Sequence, residues 1–178
     1  MGVKRWHQPA ETITFLTEYN ENTNTIQIFT DGSKSEQGVG AGIGVFRSGN
    51  HIKSLKYRLN KGCTNNQAEQ LAILRSLEHT ENIQTEDKTA TIYTDSRITL
   101  DSLKNGNIHT ILIEEIRRKL TEIEKINWKI QFCWVKVHVG IQGNELADTL
   151  SKETATNVDI KECYKKVPKS VVISEFEE

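Results

Sequence analysis

IFTDGS (residues 28–33) and IYTDSR (residues 92–97) are nearly the same phrase written twice, far apart in one chain. Each is an apolar run that ends in Thr-Asp followed by a small residue. Strand alternation puts Phe29 and Asp31 on one face of the first segment, and Tyr93 and Asp95 on one face of the second. If the two strands are parallel neighbours, both aspartates leave the sheet at the same carboxyl edge. At a point of reversed strand order, that edge is where open α/β sheets bind ligands. Taken singly, each has an ordinary reading. Asp31-Gly32 suits a turn, and Asp95 or Ser96 suits a helix N-cap contributing about 1 kcal/mol. As a pair on matched strands they point to function.

Outward from these segments the pattern is regular. TIQIFTD (25–31) alternates with period two through Ile26 and Ile28. VGAGIGVFRSG (39–49) and HIKSLKYRL (51–59) follow, with Ser-Gly-Asn between them, so the three read as an antiparallel meander. From Asn65 the period changes, and Ala68, Leu71, Ala72, Leu74 and Leu77 fall at helical spacing behind a Thr64 or Asn65 cap. TATIYTD (89–95) is a strand, and SRITLDSLKNG (96–106) a short helix closed by Asn105-Gly106. TILIEEIRRKLTEIEKI (110–126) is an amphipathic helix with Ile113, Ile116, Leu120 and Ile123 on one stripe. WKIQFCWVKV (128–137) is a buried strand. GNELADTLSKETA (143–155) is a last helix, expected to start near Asn144.

The order β-β-β-α-β-α-α-β-α asks for antiparallel neighbours first and parallel ones later. The expected fold is α/β, a mixed five-stranded sheet of three antiparallel and then two parallel strands, with helices on both faces. Residues 1–24, ending in YNENTNT, read as a lead-in or linker, 25–155 as the domain, and 156–178 as an extension of unknown role.

With 178 residues, 36% hydrophobic and 26% charged, the chain suits one soluble domain, and no apolar run reaches membrane-spanning length. No signal-peptide core stands at the N-terminus. The expected setting is intracellular, cytoplasm or nucleus, away from membranes. The three cysteines, Cys63, Cys133 and Cys163, form no C-x-x-C pair, which argues against a disulfide framework or zinc site. A net charge of −1 gives no global sign of nucleic-acid binding. Lys53, Lys56, Arg58 and Lys61 cluster without an acid among them, an arrangement that usually means a solvated face.

Two further carboxylates stand out. Glu69 shares a helix stripe with Ala72, Ile73 and Ser76, where a glutamate is usually a boundary residue reaching for water. Asp148 lies about one turn into the last helix, where an acid is favoured in any case. Were all four carboxylates to converge without bases, they would raise each other's pKa values and destabilise the fold. Hard divalent cations resolve that conflict. Mg2+ takes a few carboxylates, waters and phosphate oxygens. Two such ions roughly 4 Å apart serve phosphoryl transfer.

TDGS (30–33), TNNQAE (64–69), YTDS (93–96) and WVKVHVGIQGNELAD (134–148), in this order and at these intervals, resemble type 1 ribonuclease H over roughly residues 25–155. The form is most similar to ribonuclease H domains in polyproteins of non-LTR retrotransposons, and the Met-Gly start fits an excised domain. The resemblance implies the ribonuclease H-like fold. It implies hydrolysis of the RNA strand of RNA/DNA hybrids, leaving 3′-hydroxyl and 5′-phosphate ends. It further implies that Asp31, Glu69, Asp95 and Asp148 hold two Mg2+ ions, with Mn2+ able to substitute and Asp31 bridging them. His138 matches the family's loop histidine, which assists proton transfer or product release; an unperturbed pKa of about 6.5 suits that work. Substrate contacts fall on Gly32, Ser33, Lys34, Thr64, Asn65 and Asn66, reading shape and the 2′-hydroxyl rather than sequence. The partner in the polyprotein would be the reverse transcriptase domain, and the isolated domain is expected to be a monomer.

The well-known cellular enzymes insert a basic, tryptophan-bearing loop before the last strand. Here LKNGNIHTILIEEIRRK offers Lys104, Arg117, Arg118 and Lys119 but no tryptophan, which predicts weak, salt-sensitive binding. Two other readings compete. A catalytically silent connection-type domain would have lost carboxylates, and this chain keeps all four. A signalling domain phosphorylated at Asp95 fits the opening meander and Asn65-Asn66 poorly.

Overall fold

The computed structural model describes residues 13–19, 25–136 and 140–168. Within them lie strands β1 (Thr14–Leu16), β2 (Ile26–Lys34), β3 (Val39–Arg47), β4 (Asn50–Leu59), β5 (Thr89–Thr94), β6 (Lys129–Trp134) and β7 (Glu162–Tyr164). The helices are α1 (Asn65–Thr80), α2 (Arg97–Lys104), α3 (Ile111–Lys125) and α4 (Gln142–Thr156). All strands join one sheet in the order β1-β6-β5-β2-β3-β4-β7. The antiparallel meander β2-β3-β4 and the parallel set β2-β5-β6 meet at β2, which is the α/β arrangement the period changes predict.

The sheet has seven strands rather than five. β1 arises inside the segment read as lead-in and pairs parallel with β6; β7 arises inside the C-terminal extension and pairs with β4. Each is three residues long, too short for alternation to register, and each finds its partner far away in sequence. Tyr19, also in the lead-in, packs edge-on against Tyr93, ring centroids 5.2 Å apart.

Local chemistry explains the elements. Ser48 and Gly49 both take positive φ, which matches the twist of a two-residue hairpin and pairs Arg47 with Asn50. α1 opens on a capping box in which Thr64 Oγ1 accepts from Gln67 N and Gln67 Oε1 accepts from Thr64 N. Its predicted apolar stripe is buried, as are Ile113, Ile116, Leu120 and Ile123 of α3. These two helices cover one face of the sheet, over Ile28, Ile43 and Ile92. α4 covers the other, over Phe29, Phe46 and Tyr93.

α4 begins at Gln142, two residues before the predicted start. Ile141 is its N-cap and offers no side-chain bond, while Asn144 lies buried in the first turn. The Gly140 backbone, at φ +80°, sets the entry.

Two close approaches lock the helices in place. A Cβ on Gly42 of β3 would lie 2.4 Å from Ala147 O and 2.6 Å from Ser151 N, so α4 rests backbone to backbone on the strand. A Cβ on Gly32 of β2 would lie 2.6 Å from Glu69 N, so α1 does the same on the opposite face. The arginine of the basic run, Arg58, is also structural. It is buried and donates to the carbonyls of Thr154, Asn157 and Gln37, closing the C-terminus of α4.

Gly42→Ala is expected to lower the stability of the protein by about 1–3 kcal/mol or more through overpacking against a backbone that cannot retreat. Denaturant unfolding measures it. Gly49→Ala, where a Cβ meets nothing within 4 Å but φ is +78°, separates strain from crowding.

Candidate active site

Register assembles the site. In the β2–β5 pairing Thr30 faces Thr94, the last pair, so Asp31 and Asp95 are the next residues where the two parallel strands part. Gly32 admits α1 to the same edge, and with it Glu69. Carboxylate oxygens of Asp31, Glu69 and Asp95 all lie within 4.8 Å of one another. Asp31 and Glu69 are each only 5% exposed. Asp148, on α4, lines the same cleft from the opposite side, with its Oδ2 held 2.8 Å from Lys152 Nζ.

The cleft, about 730 Å³, is also walled by Gly32, Ser33, Lys34, Asn65 and Asn66, all named from sequence. Lys34 Nζ donates to Cys63 O at 2.9 Å, tying the end of β2 to the loop before α1. Thr64 stands outside the cleft wall, and its hydroxyl is engaged in the α1 cap. His138 lies outside the described residues.

Burial pushes the Asp31 carboxyl up to about 7, with Asp95 and Asp148 adding to the rise and a Ser151 hydrogen bond opposing it. Glu69 is raised well above the usual carboxylate range, first by burial and then by Asp31 and Asp95; a backbone hydrogen bond from Gly32 opposes the rise. Glu69 Oε2 is fully buried with no hydrogen-bond partner. A buried orphan acceptor beside two more carboxylates is a poor structural device and a good donor set for a hard divalent cation, because all its ligand atoms are oxygen.

Several neighbours have no role in the sequence reading. Ser151 donates to Asp31 Oδ2 at 2.7 Å. Trp134, paired with Thr94 at the end of β6, donates its indole N–H to Asp95 O at 3.1 Å. The Arg97 guanidinium lies 4.2 Å from the centroid of that indole ring, at the cleft rim. Ser151 falls three residues after Asp148, a helical spacing that could have flagged it.

Of the basic residues named on α2 and α3, two are committed to ion pairs or carbonyls and one to a ring. Arg117 is buried and donates to the carbonyls of Ser102 and Asn105 and to Glu114. Lys119 pairs with Glu81, and Lys104 sits over the Phe15 ring. Of the four, Lys104 and Arg118 are exposed.

Known proteins are similar at every level. The RNase H family model matches residues 23–156. A ribonuclease H of Novosphingobium aromaticivorans is 29% identical over 143 residues, covering 73% of this chain and 96% of its own length. Ribonuclease HI of Haemophilus influenzae is 32% identical over 161 residues, covering 77% and 94%. A Pol polyprotein of equine infectious anemia virus is 34% identical over 82% of this chain, which spans 12% of that polyprotein. In fold, RNase H1 of Halobacterium salinarum superposes with a TM-score of 0.57 at 20% identity, covering 73% of this chain and 96% of its own.

The raised carboxyls fix a sign for stability against pH. Asp31 and Glu69 hold protons in the metal-free fold that the unfolded chain has already released, so their contribution to stability is full below about pH 4 and is lost as pH rises through about 7. With a chelator present, the thermal midpoint should fall across that window. Saturating Mg2+ should remove the fall, since bound cations replace the protons. A chelated midpoint that rises with pH would contradict the electrostatics described.

Proposed function

Since the chain belongs to the RNase H family, we propose that it cleaves the RNA strand of RNA/DNA hybrids at the Asp31–Glu69–Asp95–Asp148 cleft, leaving 3′-hydroxyl and 5′-phosphate ends. It is a ribonuclease H, a hydrolase of phosphodiester bonds. The observation that carries the reading is the triad of carboxylate oxygens within 4.8 Å at a carboxyl sheet edge, with the buried Glu69 oxygen unpartnered.

The ligands of two Mg2+ ions, replaceable by Mn2+, would be Asp31, Glu69, Asp95 and Asp148. When bound, such ions supply charge neutralisation at the phosphate and an acidified water. The rest is supplied by this chain. Asn65 and Asn66, exposed at the start of α1, present side-chain amides toward a 2′-hydroxyl. Gly32 and Ser33 bring backbone to the cleft beside Asp31, and Lys34 adds a cation on the rim. Thr64 fixes where Asn65 and Asn66 stand through its cap, a role compatible with holding a DNA-strand phosphate nearby. His138 serves proton transfer or product release.

The setting we favour is a retroelement polyprotein with a reverse transcriptase domain beside this one. Two observations support it: the viral Pol relative, and the internal engagement of Arg117 and Lys119. That engagement leaves Lys104 and Arg118 as the exposed cations of this segment. Among the described residues no helix is long and apolar enough to cross a membrane. A nuclear or cytoplasmic site for the polyprotein belongs to the same reading, as does a monomeric state for the separate domain.

The test is a labelled RNA/DNA hybrid with Mg2+ at low salt. The parent should cut only the RNA strand, and Asp95→Asn should be inert. Cleavage should fall steeply as salt rises. His138→Ala should slow turnover while leaving Mg2+ binding intact. A parent inert with both Mg2+ and Mn2+ would sink the reading.

A further inference from the structure

Ser151 has no exposed surface and sits on the sheet-facing side of α4, where the missing side chain of Gly42 leaves the helix backbone in contact with β3. In the β2–β3 register Gly42 pairs with Asp31, so that contact sets Ser151 beside the carboxylate. Its Oγ lies 2.7 Å from Asp31 Oδ2 and 2.9 Å from Asp148 O. A serine hydroxyl has one proton and serves one of these acceptors at a time. An ionised carboxylate makes the stronger bond. The carbonyl is the alternative, and it keeps the buried hydroxyl satisfied whenever the carboxylate oxygen is engaged elsewhere.

A carboxylate terminal torsion is a broad, two-fold rotor. Packed among Glu69 and Asp95 without a donor, Asp31 would rotate to reduce repulsion rather than to face a cation. From this geometry we infer that Ser151 is a positioning residue for the cation site: its hydroxyl holds the Asp31 carboxylate in orientation before an ion binds, and can turn to Asp148 O when Oδ2 is needed. The inference rests on the four-carboxylate reading above. Asp148 and Ser151, three residues apart on α4, thus touch the site twice, once as ligand and once as donor. Outer-shell donors of this kind are worth about 10- to 100-fold in metal affinity.

The experiment is calorimetric titration of the full chain with Mn2+, and separately Mg2+, at mildly alkaline pH. Ser151→Ala is expected to weaken binding about tenfold. Ser151→Thr, which keeps the hydroxyl, should stay close to the parent. In cleavage assays Ser151→Ala should raise the Mg2+ concentration needed for half-maximal rate, leaving KM for the hybrid unchanged. Equal affinity in Ser151→Ala and parent overturns the inference, as does an equal loss in Ser151→Thr, which would assign the effect to packing. A parent that binds no divalent ion, or a parent whose binding survives Asp95→Asn, overturns the four-carboxylate reading itself. Chelated thermal melts of each variant verify that the fold is kept.

Discussion

Everything in this molecule depends on one pairing, β2 beside β5, parallel and in register from Ile26–Ala90 to Thr30–Thr94. Side-chain direction in a strand has period two, so a slip of one residue would send Asp95 to the opposite face and dissolve the site. The register is defended on both faces. Ile28 and Ile92 point into the larger core, while Phe29 stacks on Tyr93 with centroids 4.8 Å apart on the α4 side. A slip would expose both sets at once.

That rigidity has an electrostatic purpose. Three carboxylates within 4.8 Å repel each other, and burial denies Asp31 and Glu69 the water that would screen the repulsion. A loose scaffold would relieve the strain by moving apart. Here α1 cannot retreat because Gly32 has let its backbone onto β2, and α4 is held by Gly42 and by the Arg58 cap at its far end. The conflict stays in place until protons or cations resolve it. The site is thus an acidic cluster maintained at the expense of metal-free stability, the usual sign of binding rather than of folding.

Two cations of the chain are spent on holding it together. Arg58 and Arg117 are both buried, and each gathers carbonyls at a helix terminus, a task suited to a planar guanidinium with several donors. The net charge of −1 therefore overstates how much positive charge is free to meet a polyanion.

The sequence by itself determined the element order, the antiparallel-then-parallel sheet and the candidate carboxylates. It could do so because hydrophobic period and Thr-Asp strand endings are local signals. The strands at the two edges were invisible, since three residues such as Thr14–Leu16 or Glu162–Tyr164 carry no period and become strands only when a distant partner supplies hydrogen bonds. Arg58 and Arg117 read as surface charge because the carbonyls that claim them come from other elements. Ser151 read as one more helix residue, because its acceptor lies on another strand. Composition and periodicity name which groups carry charge. Only the tertiary structure decides which of them water still sees and which oxygen atoms stand within reach of one ion.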